Sequence, residues 1–277
     1  MAQLLIQAGL ANQMFQYAFF LSLKEKSSKM KHCRLNITMY LIWDSHYGYE
    51  LNRAFGIKDE TVEYKSRIGK KLMRFIFLKA PKWIVCVDPK YVYYEEAYKT
   101  RKPFLLGYWM NVKYFEGITD KIRSAFTFQN IDEDNRQMAN EMRERESVAI
   151  HVRRGDYLQL SNHFCVCDID YYSKAIDILN DTLSSPFYYI FSDDLDWCKE
   201  HFPRLGIEFE VVDINRGTDS YKDMFLMTQC KHNIIANSTF SWWGAWLNQN
   251  PNKQVVAPIR WFADLEVNLC PSDWIRI

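Results

Sequence analysis

The sequence predicts an α/β protein in which a parallel β-sheet is covered by helices on both faces. Three observations carry this. Strand-like and helix-like segments alternate through the second half of the chain. The strand segments are apolar throughout, as strands buried on both faces are, rather than alternating apolar with polar. The chain has 277 residues, 48% of them hydrophobic, with 18 Phe, 17 Tyr and 9 Trp. That is enough apolar surface for one large core or two smaller ones, and too much for a disordered segment.

In the first half, AQLLIQ (residues 2–7) reads as a strand, GLANQ (9–13) as a turn and MFQYAFFLSLKEK (14–26) as a helix. CRLNI (33–37) reads as a strand and YELNRAF (49–55) as a short helix. FLLGYW (104–109) is a further strand, followed by the helical patterns VKYFEGI (112–118) and DKIRSAF (120–126). DEDNRQMANEMRERE (132–146) is a polar helix whose first-turn acids suit the helix dipole. The second half is more regular. SVAIHV (147–152), FYYIFS (187–192), EFEVVD (208–213), NIIA (233–236) and QVVA (254–257) are short strands rich in β-branched and aromatic residues. Between them lie helical patterns over 168–183, 194–202, 220–230 and 240–249. Two domains are expected, 1–146 and 147–277, with the last residues free to pack back on the first domain. No Gly/Ser/Pro-rich linker marks the boundary, and there is no internal repeat.

Composition narrows the partners. The formal net charge is +1, so no global field recommends nucleic acid. Seven cysteines, an odd number without repeating spacing, argue against a disulfide framework and for a reducing, cytoplasmic setting. His163, Cys165 and Cys167 in HFCVC lack the second knuckle of a zinc site and read as ordinary partly buried residues. YAFFLSL is too short to cross a bilayer, and the N-terminus lacks a basic region and cleavage site. RIGKKLMRFIFLKAPKW (67–83) is basic and amphipathic at helical spacing. It reads either as an ordinary surface helix or as a peripheral contact with the inner face of a membrane.

Parallel sheets bind ligands beyond the carboxyl ends of their strands. After SVAI come His151, Arg153, Arg154 and Asp156; after FYYIF come Ser192, Asp193 and Asp194; after NIIA come Asn237, Ser238, Thr239 and Ser241. One polar strand end would be an ordinary turn; three together predict a ligand site. Arginine presents a planar fork that matches phosphate and stays charged at any relevant pH. Free backbone N–H groups near Phe240, with the Ser238 and Thr239 hydroxyls, suit a phosphate, although simple N-capping uses the same atoms. The pattern fits a nucleotide-sugar diphosphate better than an exposed adhesion tripeptide at Arg154-Gly155-Asp156. Trp242, Trp243 and Trp246 are expected in the core. Asp223 sits among mostly apolar neighbours; it reads equally as a guanine acceptor or as a helix N-terminal acid. Asn12 and Gln13 open the first helix, where they could reach sugar hydroxyls.

GLANQMFQYA, HVRRGDY and NSTFSWWGAWL, in this order, resemble the bacterial α-1,2-fucosyltransferases of glycosyltransferase family 11. YELNRAFGI, GYWMNVKYF, FSDDLDWCKEHF and PSDWIRI resemble that family too, so the likeness spans nearly the whole chain. It implies a GT-B fold, two Rossmann-like domains facing a cleft, with the acceptor side in the first domain and the donor side in the second. It implies inverting, metal-independent transfer of L-fucose from GDP-β-L-fucose to a terminal galactose of an oligosaccharide or lipid-linked glycan. GDP-fucose is then a substrate, and no cofactor is needed. By position, Arg153 would meet the donor β-phosphate, with His151 and Arg154 beside it. Ser238, Thr239 and Phe240 would line the pyrophosphate, Asn237 and Asp193 would join the donor side, Asp223 would face the guanine, and Asn12 would lie near the fucose. Asp156 is the candidate general base; its alternative role is an ion pair that holds Arg153 or Arg154. The chain departs from the family's usual Gly-Gly-Leu-Gly-Asn-Gln by carrying Ala8-Gly9-Leu10-Ala11-Asn12-Gln13. If Ala11 needed a positive φ, alanine there would cost on the order of 1 kcal/mol.

Two other functions fit parts of the pattern. The Asp-x-Asp triplets at Asp168–Asp170 and Asp194–Asp196 could hold Mn²⁺ in a metal-dependent transferase, although both lie where helices should start. A non-enzymatic nucleotide-sugar binder would keep the phosphate cradle without turnover.

Overall fold

The computed structural model describes residues 1–43 and 46–277. The chain divides into two compact units, Met1–Gln129 and Asn130–Ile277. The division falls before the 132–146 helix, not after it as the sequence suggested. Although that helix is mostly polar, Ala139 and Met142 are buried in one cluster with Leu226 and Met227 of the second unit. That apolar contact assigns it to the second unit.

The first unit runs β1 (Gln3–Leu5), α1 (Leu10–Lys26), β2 (Arg34–Asn36), α2 (Leu51–Phe55), β3 (Thr61–Val62), α3 (Arg67–Lys79), β4 (Val85–Val87), β5 (Phe104–Leu106) and α4 (Thr119–Ala125). Its five strands pair in the order β3-β2-β1-β5-β4, all parallel. The 112–118 segment forms two short 3-10 turns instead of an α-helix. β3 and β4 were not read from the sequence. α1 is buried from Leu10 to Leu23 except at Asn12, as a helix apolar on all sides should be, and Phe19 stacks on Trp109 with ring centroids 4.0 Å apart.

α1 begins at Leu10, so Asn12 and Gln13 lie in its first turn. Gln13 is fully buried: its Nε2 donates to the carbonyls of Ala8 and Gly48, and its Oε1 accepts from the Glu50 N–H. Glu50 in turn accepts from the Leu10 N–H and so caps α1 from outside the helix. The strained residue of this loop is Ala8, with φ 63°, and not Ala11, which is helical and costs nothing there. Ala8→Gly is therefore expected to raise stability by up to about 1 kcal/mol, because glycine adopts positive φ without a Cβ penalty. Denaturant unfolding checks this; an unchanged or lower midpoint would mean the entropy glycine adds to the unfolded chain outweighs the relieved strain.

The second unit runs α5 (Glu133–Glu144), β6 (Ser147–Val152), α6 (Gly155–Gln159), α7 (Ile169–Asn180), β7 (Phe187–Ser192), α8 (Leu195–His201), β8 (Phe209–Val211), α9 (Tyr221–Gln229), β9 (His232–Ile234), α10 (Thr239–Leu247), β10 (Val255–Ala257) and β11 (Ile275–Arg276). Its strands pair in the order β11-β10-β9-β6-β7-β8, again all parallel. β6 is central and buried along its whole length. The last residues extend this sheet, with β11 paired beside β10. Helices α7 and α8 bury Tyr172, Ile176 and Cys198 with one group of strand residues, while α5 and α9 bury Met142 and Leu226 with another. Among the described residues no helix is long and apolar enough to cross a membrane, and all seven cysteines are free.

Candidate active site

β6 is flanked by β7 and β9, with Ile150 opposite both Ile190 and Ile234. The chain leaving these three strands therefore emerges at one edge of the sheet, and the predicted residues meet there. The Arg153 guanidinium sits between two carboxylates, Nη2 2.8 Å from Asp156 and Nη1 3.2 Å from Asp193. Asp193 also accepts from the Arg154 N–H at 2.9 Å. Arg154 Nε lies 3.2 Å from Asp194, and its guanidinium lies 4.2 Å from the Trp197 ring centroid. Tyr157 is stacked on Phe164, lies 5.4 Å from the Arg153 guanidinium, and donates its hydroxyl to the Asn237 carbonyl at 3.2 Å. Both arginines are half-buried. Held on several sides, they lose little side-chain entropy when they meet an anion. The two carboxylates leave Arg153 the rest of its five N–H donors.

His151 closes the inner side of this cluster. It is buried, 5.6 Å from the Phe240 ring, and its Nδ1 has no hydrogen-bond partner among the described residues. Burial, reinforced by the Arg153 charge, pushes its pKa down to about 3. It is therefore neutral near pH 7 and can offer a hydrogen bond but no charge. Ser238 caps α10, accepting from the Phe240 N–H at 3.3 Å, and Thr239 follows half-buried. Asn237 braces the site instead of lining it: its amide donates to the carbonyls of Cys165 and Trp261 at 2.6 and 2.7 Å. The first acid of each Asp-x-Asp triplet is a helix cap, and the second lies in the first turn. Asp168 accepts from the Tyr171 N–H, and Asp194 accepts from the Trp197 N–H while pairing with Arg154.

Asp223 stands apart from the arginines. In the first turn of α9, it accepts from Asn215 Nδ2 at 2.8 Å; Asn215 is bonded in turn to Asn135. Burial, helped by the nearby Asp213 charge, pushes its carboxyl up to about 7. The folded chain then keeps this proton up to about pH 7, whereas the unfolded chain releases it near 4. Stability from this group is greatest at low pH and declines as pH rises towards 7. Asp223→Asn should therefore shrink the loss of thermal stability between about pH 5 and about pH 8; an unchanged loss would mean that Asp223 titrates normally.

In the first unit, Asn12 occupies the first turn of α1, and its Oδ1 is buried without a partner among the described residues. Two contributors were missed in the sequence. Tyr157 lay inside the quoted HVRRGDY motif, where its aromatic ring beside two arginines was the available signal. Trp197 had no signal, because its contact with Arg154 joins two different strand ends.

Two compact units, each built on a parallel α/β sheet, are the plan of the GT-B fold. A family model described as Glycosyl transferase family 11 matches residues 91–269. The chain is 32% identical to Alpha-1,2-colitosyltransferase of Escherichia coli, over 98% of this chain and 97% of that protein. It is 31% identical to the O-antigen biosynthesis glycosyltransferase WbnK of Escherichia coli, over 98% and 99%. Human Galactoside alpha-(1,2)-fucosyltransferase 1 is 30% identical over 55% of this chain and 46% of its own length. Among solved structures, a mutant of Arabidopsis thaliana FUT1 in complex with GDP superposes with a TM-score of 0.52 at 11% identity, covering 94% of this chain and 70% of that one. The chain belongs to glycosyl transferase family 11, and it is a glycosyltransferase.

Proposed function

We propose that this enzyme transfers L-fucose from GDP-β-L-fucose to the 2-hydroxyl of a terminal galactose, with inversion and without a metal ion. The observation that carries the donor side of this reading is the Arg153–Arg154 pair, braced by Asp156, Asp193 and Asp194 where β6 and β7 end. In this reading Arg153 meets the β-phosphate of GDP. Arg154, Asp193, Ser238, Thr239 and Phe240 complete the pyrophosphate side, and His151 adds a neutral hydrogen bond. Asp223 accepts from the guanine, so Asp223→Asn weakens GDP more than UDP. The first unit takes the acceptor side, with Asn12 near the sugar.

The arginine charge supplies what a divalent cation would, namely stabilisation of the leaving diphosphate. Asp168 and Asp194 are already engaged as caps, which favours this over an Asp-x-Asp metal site. The acceptor side rests on the family and its relatives: one is named for galactosides and another for O-antigen biosynthesis. That supports a galactose-terminated surface glycan, free or lipid-linked.

The decisive experiment incubates the protein with GDP-fucose and lactose, measures GDP release and identifies the product linkage by NMR. Failure to release GDP above the hydrolysis background would reject the reading. Loss of activity with EDTA and its return with Mn²⁺ would reject metal independence. A second donor is favoured by one observation, the likeness to a colitosyltransferase over nearly the whole chain. Colitose is fucose without its 3-hydroxyl, so side-by-side turnover of the two GDP-sugars decides between them.

Asp156 has two candidate roles, and the 2.8 Å ion pair favours holding Arg153 over acting as base. Asp156→Asn is expected to lower GDP affinity together with turnover. Normal GDP binding with a loss of kcat of ~10²-fold or more would instead assign it as the general base.

A further inference from the structure

Helix α3 has a buried face and an unpartnered one. Gly69, Met73 and Ile76 face the core, where Met73 and Ile76 pack with Leu5, Val85 and Leu106. Away from that face, Ile68, Leu72 and Phe75, spaced three and four residues apart, are exposed by 82%, 48% and 51%. Leu78 and, just past the helix, Trp83 extend this apolar surface, at 59% and 78% exposure. A run of large apolar side chains along one element is unusual on a protein surface that faces only water.

The charge around this ridge is one-sided. Residues 67–83 hold six basic side chains and no acid, in a chain whose net charge is only +1. None of the six forms an ion pair among the described residues, although Arg74 lies over the Trp43 ring. An apolar ridge flanked by unpaired cations matches the boundary between anionic headgroups and acyl chains. A tryptophan at the end of such a ridge suits the same boundary. A second copy is a poorer occupant, because a two-fold contact through this face would set cations against cations.

We propose that α3 and Trp83 form a docking surface for an anionic lipid bilayer, the apolar ridge entering the headgroup–acyl boundary while the flanking cations meet lipid phosphates. This is independent of the transfer reaction and would bring the enzyme to membrane-borne acceptors.

The test is flotation of the full chain with vesicles of phosphatidylcholine, alone or with about one-third phosphatidylglycerol. The chain is expected to float with the anionic vesicles and not with the neutral ones. It should be released near 1 M salt, where the Debye length is about 3 Å. Each basic side chain near an anionic surface adds on the order of fivefold to partition. Lys71→Glu with Lys79→Glu should therefore lower the bound fraction about tenfold or more. Leu72→Ser with Phe75→Ser should do the same by removing apolar insertion. All four positions are exposed, so both double variants should melt like the parent. Absence of binding to anionic vesicles, or equal binding by parent and both variants, overturns the proposal. So does a dimer that Leu72→Ser with Phe75→Ser dissociates in a chain that does not bind vesicles, which would give the face to a second copy.

Discussion

Replacing Arg153 with alanine is expected to lower the rate of transfer by a factor of ~10² or more and to weaken GDP binding. A leaving diphosphate gains charge as the glycosidic bond breaks. In the proposed reading, a guanidinium already fixed between Asp156 and Asp193 stabilises that charge more in the transition state than in the ground state. Arg153→Lys should rescue only part of the loss, because an ammonium can neither bridge two carboxylates as a planar fork nor bind a phosphate bidentately. Steady-state kinetics and GDP titration of both variants check this. Near-normal turnover and GDP affinity in Arg153→Ala would show that the diphosphate binds elsewhere. A loss confined to KM, with kcat intact, would mean that Arg153 contributes only ground-state binding.

Trp242→Ala is expected to cost about 3–5 kcal/mol of stability, a large share of the roughly 5–15 kcal/mol that holds a protein folded. The Trp242 ring is fully buried, 5.0 Å from Trp243, 6.1 Å from Trp246 and 5.6 Å from Trp274 by centroid. Its Nε1 donates to the Leu269 carbonyl at 2.8 Å, which ties α10 to the segment that precedes β11. Alanine would leave a cavity among three other indoles and orphan that carbonyl. The measurement is the denaturation midpoint of the variant against the parent. A shift worth less than about 1 kcal/mol would mean that the surrounding rings close over the gap.

The sequence by itself determined the class of fold and most of the second unit. Its strands are buried on both faces, so SVAIHV and FYYIFS had to be nearly continuous apolar runs. The helices between them had to span the return path between parallel strands. It also placed the arginines, because charge directly after a buried strand has few structural uses. The family motifs pointed to the reaction. What the sequence left open were features made by contacts between distant residues. The polar helix over 133–144 joins the second unit through the burial of Ala139 and Met142, and nothing local marks that choice. Ala8, and not Ala11, takes the strained φ, because Gln13 and Tyr40 both bond its carbonyl. Asn237, polar and next to the Ser238 cap, is used up on two backbone carbonyls that only folding brings to it. Asp156 followed the arginines in sequence whatever its role; only the tertiary structure set its carboxylate 2.8 Å from Arg153, and a charge at that distance is first of all an ion pair.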